Sequence, residues 1–369
     1  MIYLDSAATS FQKPPQVLRA VEKTLREAAS PGRGAYGAAM KAAETMFEAR
    51  EIAASFFHFP DPERVVMTMN ATHALNLAIR SLAVPGGRAV ISGYEHNAVT
   101  RPLRGYGLEL DVAGEGLFDS EGLIRSFQEK IPGAALAVCT HVSNVFGYIL
   151  PIREIAAICR NYGVPLIIDA SQSAGVLAID AEALGADFIA MPGHKSLLGF
   201  PGSGLLLCQG EVKPLLFGGS GSDSISQEMP LYLPERLEAG TQNAPAAAAL
   251  RAGIGFIQSR GRARIEAHEK ELCLHMTELL REKTEVELFL PPRGEQSGVL
   301  SLRTSGKDCE EIASALSQEG VCVRSGLHCA PLAHKSAGTL RTGTVRFSFS
   351  PFNTHGEIEK AAAKFIKII

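Results

Sequence analysis

No stretch of this 369-residue chain stays apolar for the ~20 residues that a membrane-spanning helix needs, so no membrane association is expected. Its charge has no dominant sign. The 36 Lys and Arg stand against 39 Asp and Glu, and a net charge of −3 supplies no basic surface for nucleic acid. Met1 runs straight into Ile2-Tyr3-Leu4-Asp5, without a basic region or an apolar signal core, which makes the cytoplasm the expected location. The seven cysteines (139, 159, 208, 273, 309, 322 and 329) form no Cys-x-x-Cys pair, so neither a zinc knuckle nor a disulfide framework is indicated. No internal repeat or low-complexity tract is found.

What is present suits a globular enzyme of two packed domains. Hydrophobic residues make up 46% of the chain and charged residues 20%. From about residue 60 to 210, short apolar runs alternate with amphipathic segments, the pattern of a mainly parallel sheet flanked by helices. Arg88–Ile91, Leu136–Cys139 and Phe188–Met191 read as strands, and Leu205–Cys208 as an antiparallel member of a mixed sheet. Residues 254–285 read as one long helix leading out of this region. After the Pro291–Gly294 stretch the texture becomes α+β, with strands at Val299–Leu302, Val321–Val323 and Val345–Phe349 and a helix from Asp308 to Gln318. A closing helix starts at Thr354, with Glu357 completing a capping box, and Ile358, Ala362, Phe365, Ile366 and Ile369 form its apolar face.

The chemistry sits where apolar runs stop. Asp169 ends Leu166-Ile167-Ile168-Asp169, and Lys195 follows the run that ends in Met191-Pro192-Gly193-His194. A lysine amine can form a Schiff base with the aldehyde of pyridoxal phosphate, while a carboxylate keeps the pyridine nitrogen protonated. A lone Asp and Lys are more often a helix cap and a solvated cation, so the rest of the chain decides. Met69-Asn70-Ala71-Thr72-His73 joins a strand to a helix start, whose free amides and the Thr72 hydroxyl suit a phosphate. His96, after another strand, can stack on a flat ring. Asn144 can bond a substrate carboxylate or a ring oxygen, and Gln172 can reach the same oxygen. Six cysteines lie in or beside apolar or helical patterns. Cys329 alone sits in a polar turn, Arg324-Ser325-Gly326-Leu327-His328-Cys329-Ala330-Pro331, the setting that lowers a thiol pKa.

These motifs, in this order, resemble the class V aminotransferases, and most closely the Suf-type cysteine desulfurases among them. The resemblance rests on Ile2–Ser10, Glu95-His96-Asn97, His141-Val142-Ser143-Asn144, Asp169-Ala170-Ser171-Gln172, Gly193-His194-Lys195 and Glu238–Asn243, and it covers nearly the whole chain. It implies a fold type I pyridoxal-phosphate-dependent transferase, an α/β protein with a mainly parallel mixed sheet. A large cofactor domain over residues 15–255 is implied, with a smaller α+β domain of residues 1–14 and 256–369 that carries the cysteine loop.

The resemblance also implies roles. Lys195 would carry the Schiff base, Asp169 partner the pyridine nitrogen, His96 stack on the ring and Gln172 bond its phenolic oxygen. Ala71 (through its backbone), Thr72, His194 and Thr241 would hold phosphate, Thr241 from the second subunit of a homodimer. Asn144, Arg324 and Arg346 would grip the substrate carboxylate. Cys329, with His328 as acid or base beside it, would take sulfur from L-cysteine as a persulfide, release alanine and pass the sulfur to an acceptor protein, in iron–sulfur cluster assembly or another pathway. Two positions depart from the family pattern. Ala71 stands where a hydroxyl residue is common, and Leu327 replaces the first of two histidines before the cysteine. Ala333–Thr339 is also unlike the best-known Suf-type sequences. The alternative is a selenocysteine lyase or another pyridoxal-phosphate-dependent carbon–sulfur lyase, since selenium leaves without a nucleophilic thiol.

Overall fold

The computed structural model describes residues 1–369 apart from Arg33, Glu115 and Arg293, the last of which falls in the Pro291–Gly294 stretch and so lies outside the described residues. Strand β1 (Ile2–Tyr3) opens the chain. A seven-stranded sheet then forms from β2 (Val65–Thr68), β3 (Arg88–Ser92), β4 (Glu109–Ala113), β5 (Leu136–Thr140), β6 (Leu166–Asp169), β7 (Phe188–Pro192) and β8 (Gly204–Cys208). Its order is β2-β8-β7-β6-β5-β3-β4, with β3 to β7 parallel and β8 antiparallel to both its neighbours. All residues of β5, β6, β7 and β8 are buried, because helices cover both faces of the sheet. Apolar residues therefore run continuously in these strands instead of alternating.

Four further strands, β9 (Val286–Phe289), β10 (Val299–Thr304), β12 (Arg324–Gly326) and β13 (Thr344–Ser348), form an antiparallel sheet in the order β12-β13-β10-β9. Between them in sequence, β11 (Val321–Cys322) pairs in parallel with β1. The strand expected over Val321–Val323 thus ends at Cys322, and the chain enters a different sheet at Arg324. The N-terminus joins this half of the molecule, since Leu4 packs in one apolar cluster with Leu272, Leu300, Phe347 and Phe365.

The single helix expected over 254–285 is two. One runs Ala244–Arg260 and the next Arg262–Leu280, broken at Gly261, whose φ of 87° no helix accommodates. The closing helix (His355–Ile368) carries the expected capping box. The Glu357 N–H donates to Thr354 Oγ1, and the Thr354 N–H donates to Glu357 Oε2. Its Ile358, Ala362 and Phe365 are buried. Among the described residues no helix is long and apolar enough to cross a membrane.

Candidate active site

The carboxyl ends of β2, β3, β5, β6 and β7 all open on one cavity of about 170 Å³. Sites gather there because parallel strands end together while their loops diverge over the two faces. Ala71, Thr72, His96, Asn144, Asp169, Gln172, His194 and Lys195 line it together, along with Asn70, Thr140 and Ser171.

At one end the helix Ala71–Leu82 begins. Its N-cap Asn70 takes the His73 N–H (2.8 Å), which leaves the Ala71 and Thr72 N–H groups without an acceptor among the described residues. Free first-turn amides with the helix dipole behind them make an anion seat, and Ala71 needs no side chain to serve in it. His194 lines the same cavity. Burial, with the charges of Lys195 and Lys13 adding, lowers its pKa to about 4, so it is a neutral donor rather than a cation, with Nδ1 3.0 Å from Thr9 Oγ1.

Asp169 is buried at the end of β6, and its Oδ1 accepts the Ser171 N–H (2.9 Å). Its backbone carbonyl takes the His141 N–H. Beneath it lies Glu95, fully buried, which accepts from Ser92 Oγ (2.5 Å) and the Thr140 N–H (2.7 Å). Burial pushes the Glu95 carboxyl up to about 8 against those bonds, and the Asp169 charge adds to the rise. Glu95 is therefore a neutral acid at pH 7. His96 caps the helix Asn97–Gly105 by accepting the Ala98 N–H on Nδ1 (3.0 Å), which fixes the tautomer with hydrogen on Nε2. Burial lowers its pKa, so the ring is neutral. The Gln172 amide donates to the Ala7 carbonyl (3.0 Å), tying the N-terminal arm over the cavity.

Lys195 reaches the cavity from a turn that requires Gly193, where a Cβ would sit 2.2 Å from Ser203 Oγ. Burial lowers the Lys195 pKa to about 8, with Arg346 and Arg324 adding to the shift and Asp169 and Asp5 opposing it. Such an amine is about one-tenth neutral at pH 7, against well under a thousandth for an ordinary lysine. Capture of an aldehyde by the cofactor-free protein should therefore speed up about tenfold per pH unit and level off near pH 8. Stopped-flow absorbance after mixing with pyridoxal phosphate tests this. A rate still climbing tenfold per unit at pH 9.5 would contradict the shift.

The other expected residues lie beside this cavity or away from it. Arg346 is 1% exposed on β13. Its Nη1 donates to the Asn144 carbonyl (2.8 Å) and its Nη2 to Asp5 Oδ1 (2.8 Å), which leaves Nε buried without a partner among the described residues. Arg324 is directly opposite on β12 and exposed. Cys329 is exposed, whereas Cys139, Cys159, Cys208, Cys273 and Cys309 are buried and Cys322 is half-buried. His328 and Cys329 both adopt left-handed backbone, φ 47° and 59°. Each such non-glycine residue costs about 1–3 kcal/mol and persists only where its surroundings hold it. The His328 ring points inward, Nε2 3.1 Å from Thr344 Oγ1 and its ring centre 5.8 Å from that of His334. Burial holds it neutral.

Thr241 does not line the Lys195 cavity. It borders a separate one with Thr68, Met69 and His73. Its segment is anchored by Glu238, which pairs with Arg50 through two 2.7 Å bonds and accepts the Met67 N–H.

Reading the sequence assigned no role to Asp5, Lys13, Glu95 or Asn97. Lys13 bonds Ser10 Oγ and the His194 carbonyl, next to Lys195, and burial lowers its pKa to about 8. Asp5 and Arg346 are 341 positions apart, so no local pattern links them.

Chemically, the cavity suits a planar ligand with an anionic group at the helix start, a basic ring nitrogen at Asp169 and an aldehyde at Lys195. The chain is similar to known proteins over nearly its whole length. Residues 2–361 match the family model Aminotransferase class-V. A probable cysteine desulfurase of Methanothermobacter thermautotrophicus is 34% identical, over 97% of this chain and 92% of that protein. A probable cysteine desulfurase of Xylella fastidiosa is 33% identical, over all of this chain and 91% of its own. The solved structure of apo cysteine desulfurase from Thermococcus onnurineus superposes with a TM-score of 0.90 at 33% identity, covering 98% of this chain and 93% of that one. By sequence match, architecture and the cavity at its strand ends, the chain belongs to the class V aminotransferase family.

Proposed function

We propose that this protein is a pyridoxal 5′-phosphate-dependent cysteine desulfurase, which takes sulfur from L-cysteine as an enzyme-bound persulfide and releases L-alanine. The observation that carries the reading is one exposed thiol, Cys329, on a turn tied through its own carbonyl to the Asn97 N–H (2.7 Å), one residue after His96 of the Lys195 cavity. An aminotransferase or a hydrolase has no use for a thiol at that place.

In this proposal Ala71 N–H, Thr72 and His194 hold the cofactor phosphate, Asp169 its ring nitrogen, Gln172 its phenolic oxygen and His96 its face, with Lys195 on its aldehyde. When bound, the cofactor supplies an electron sink for the substrate's α-carbon. Arg346, Asn144 and Arg324 orient the substrate carboxylate, and Lys195 carries protons at the α-carbon. Cys329 Sγ then forms an S–S bond as the substrate C–S bond breaks. The electron pair of that bond goes to carbon, which takes up a proton and leaves as alanine. His328 is the acid or base beside Cys329 in this proposal; its Nε2 is engaged by Thr344, and its Nδ1 is buried without a partner among the described residues.

A homodimer belongs to the same proposal. Thr241 is unused in its own chain's cavity, and Phe217, Ile225 and Leu231 nearby are exposed. So do a cytoplasmic location and an acceptor protein for the persulfide, whether for iron–sulfur cluster assembly or another use. In the proposed division into residues 15–255 and 1–14 with 256–369, the place of residues 1–14 is supported by the β1–β11 pairing, which returns the N-terminus to the C-terminal half, while the boundary at 255 falls inside the helix Ala244–Arg260.

The test is turnover. The cofactor-loaded protein with L-cysteine and a reductant should release alanine and sulfide in equal amounts. A yellow protein that forms neither product would overturn the proposal, and cleavage of selenocysteine alone would favour the lyase alternative.

A further inference from the structure

Asn144 lies between the cavity and the cysteine loop and contacts both. It lines the Lys195 cavity, and its backbone carbonyl accepts from Arg346 Nη1 (2.8 Å). Its Nδ2 donates to the carbonyl of His328 (2.8 Å), the first of the two left-handed residues. The carbonyl of the second, Cys329, accepts the Asn97 N–H (2.7 Å), and the Ala330 N–H closes the turn on Leu327 (2.9 Å). His328 is 4% exposed, so a lost partner for its carbonyl could not readily be replaced by water. An amide nitrogen carries two hydrogens. One therefore holds the loop while the other has no acceptor among the described residues.

We infer that Asn144 is a positioning residue for Cys329, fixing the strained turn that presents the thiol, apart from any contact it makes with a substrate carboxylate. Only the kinetic arm of its test rests on the desulfurase reading. Without the Nδ2 bond, the His328 carbonyl has no tether among the described residues, and the φ 47°/59° pair can relax toward ordinary backbone.

The experiment uses cofactor-loaded protein without cysteine and two variants, Asn144→Ala and the isosteric Asn144→Asp. The aspartate keeps the shape but sets an oxygen against the His328 carbonyl, so it reads the same bond should the alanine variant fail to fold. Alkylation of Cys329 by iodoacetamide should change by about fivefold or more, the size expected for losing one hydrogen bond. Amide exchange at Asn97 and Ala330 should quicken in parallel. In turnover, kcat should fall along with any rise in KM. Alkylation and exchange at wild-type values, with KM alone raised, would overturn the inference and leave the desulfurase reading standing. Altered alkylation and exchange in variants of a wild type that releases no sulfide would do the reverse.

Discussion

Cys329→Ala should give a protein that keeps its yellow cofactor and its fold but releases sulfur from L-cysteine at on the order of a thousandth of the wild-type rate or less. The thiol is exposed on a surface turn, so its removal leaves no core cavity. No other cysteine can replace it. Burial pushes the Cys159 and Cys273 thiols up to about 12 and raises those of Cys139 and Cys208 as well. Cys322 is half-buried in β11, in register with Tyr3 of β1. Selenocysteine cleavage should survive in part, because selenium departs without a nucleophile. Mass spectrometry of the wild type after cysteine should place the extra sulfur on the peptide carrying Cys329. A variant that desulfurates cysteine at the wild-type rate would make Cys329 a bystander and favour the lyase alternative.

Lys195→Ala should abolish both the visible chromophore and its reduction by borohydride, with turnover down by about ten-thousandfold or more. Lys13 is the amine to watch. It is next to the same loop and its pKa is also lowered to about 8, but its Nζ is held by Ser10 Oγ and the His194 carbonyl. A reducible chromophore in Lys195→Ala that disappears in the Lys13→Met, Lys195→Ala double variant would move the carbonyl chemistry to Lys13. The seat at Ala71 and Thr72 does not depend on Lys195, so the variant should still bind pyridoxal phosphate, more weakly, by fluorescence titration.

The sequence by itself determined the elements whose cause is local. Apolar runs bounded by turns marked β3, β5 and β7, and Leu205–Cys208 was legible as the antiparallel strand that became β8. Thr354 and Glu357 are three residues apart, so their capping box was legible as a pattern. The expected residues that line the cavity were legible too, because they stand at or within a few positions of strand ends, and parallel strands bring their carboxyl ends together. Cys329 was marked by a polar context that the other cysteines lack.

Only the tertiary structure decided what depends on partners distant in sequence. The break at Gly261 lies inside a helical composition, and only its backbone angle reveals it. Val323 continues an apolar run, yet the chain changes sheets there because β1 pairs with β11 while β12 is claimed by β13. Asn144 read as a ligand for substrate, but one of its N–H groups is committed to the cysteine loop 184 positions away. Arg346 was expected to grip a substrate carboxylate, and only the fold shows that it is buried, with its Nη atoms bonded to Asp5 and the Asn144 carbonyl. Periodicity and spacing carry information over a few turns of chain. A hydrogen bond between residues hundreds of positions apart leaves no such trace, since either partner alone is an ordinary polar residue until the fold buries them together.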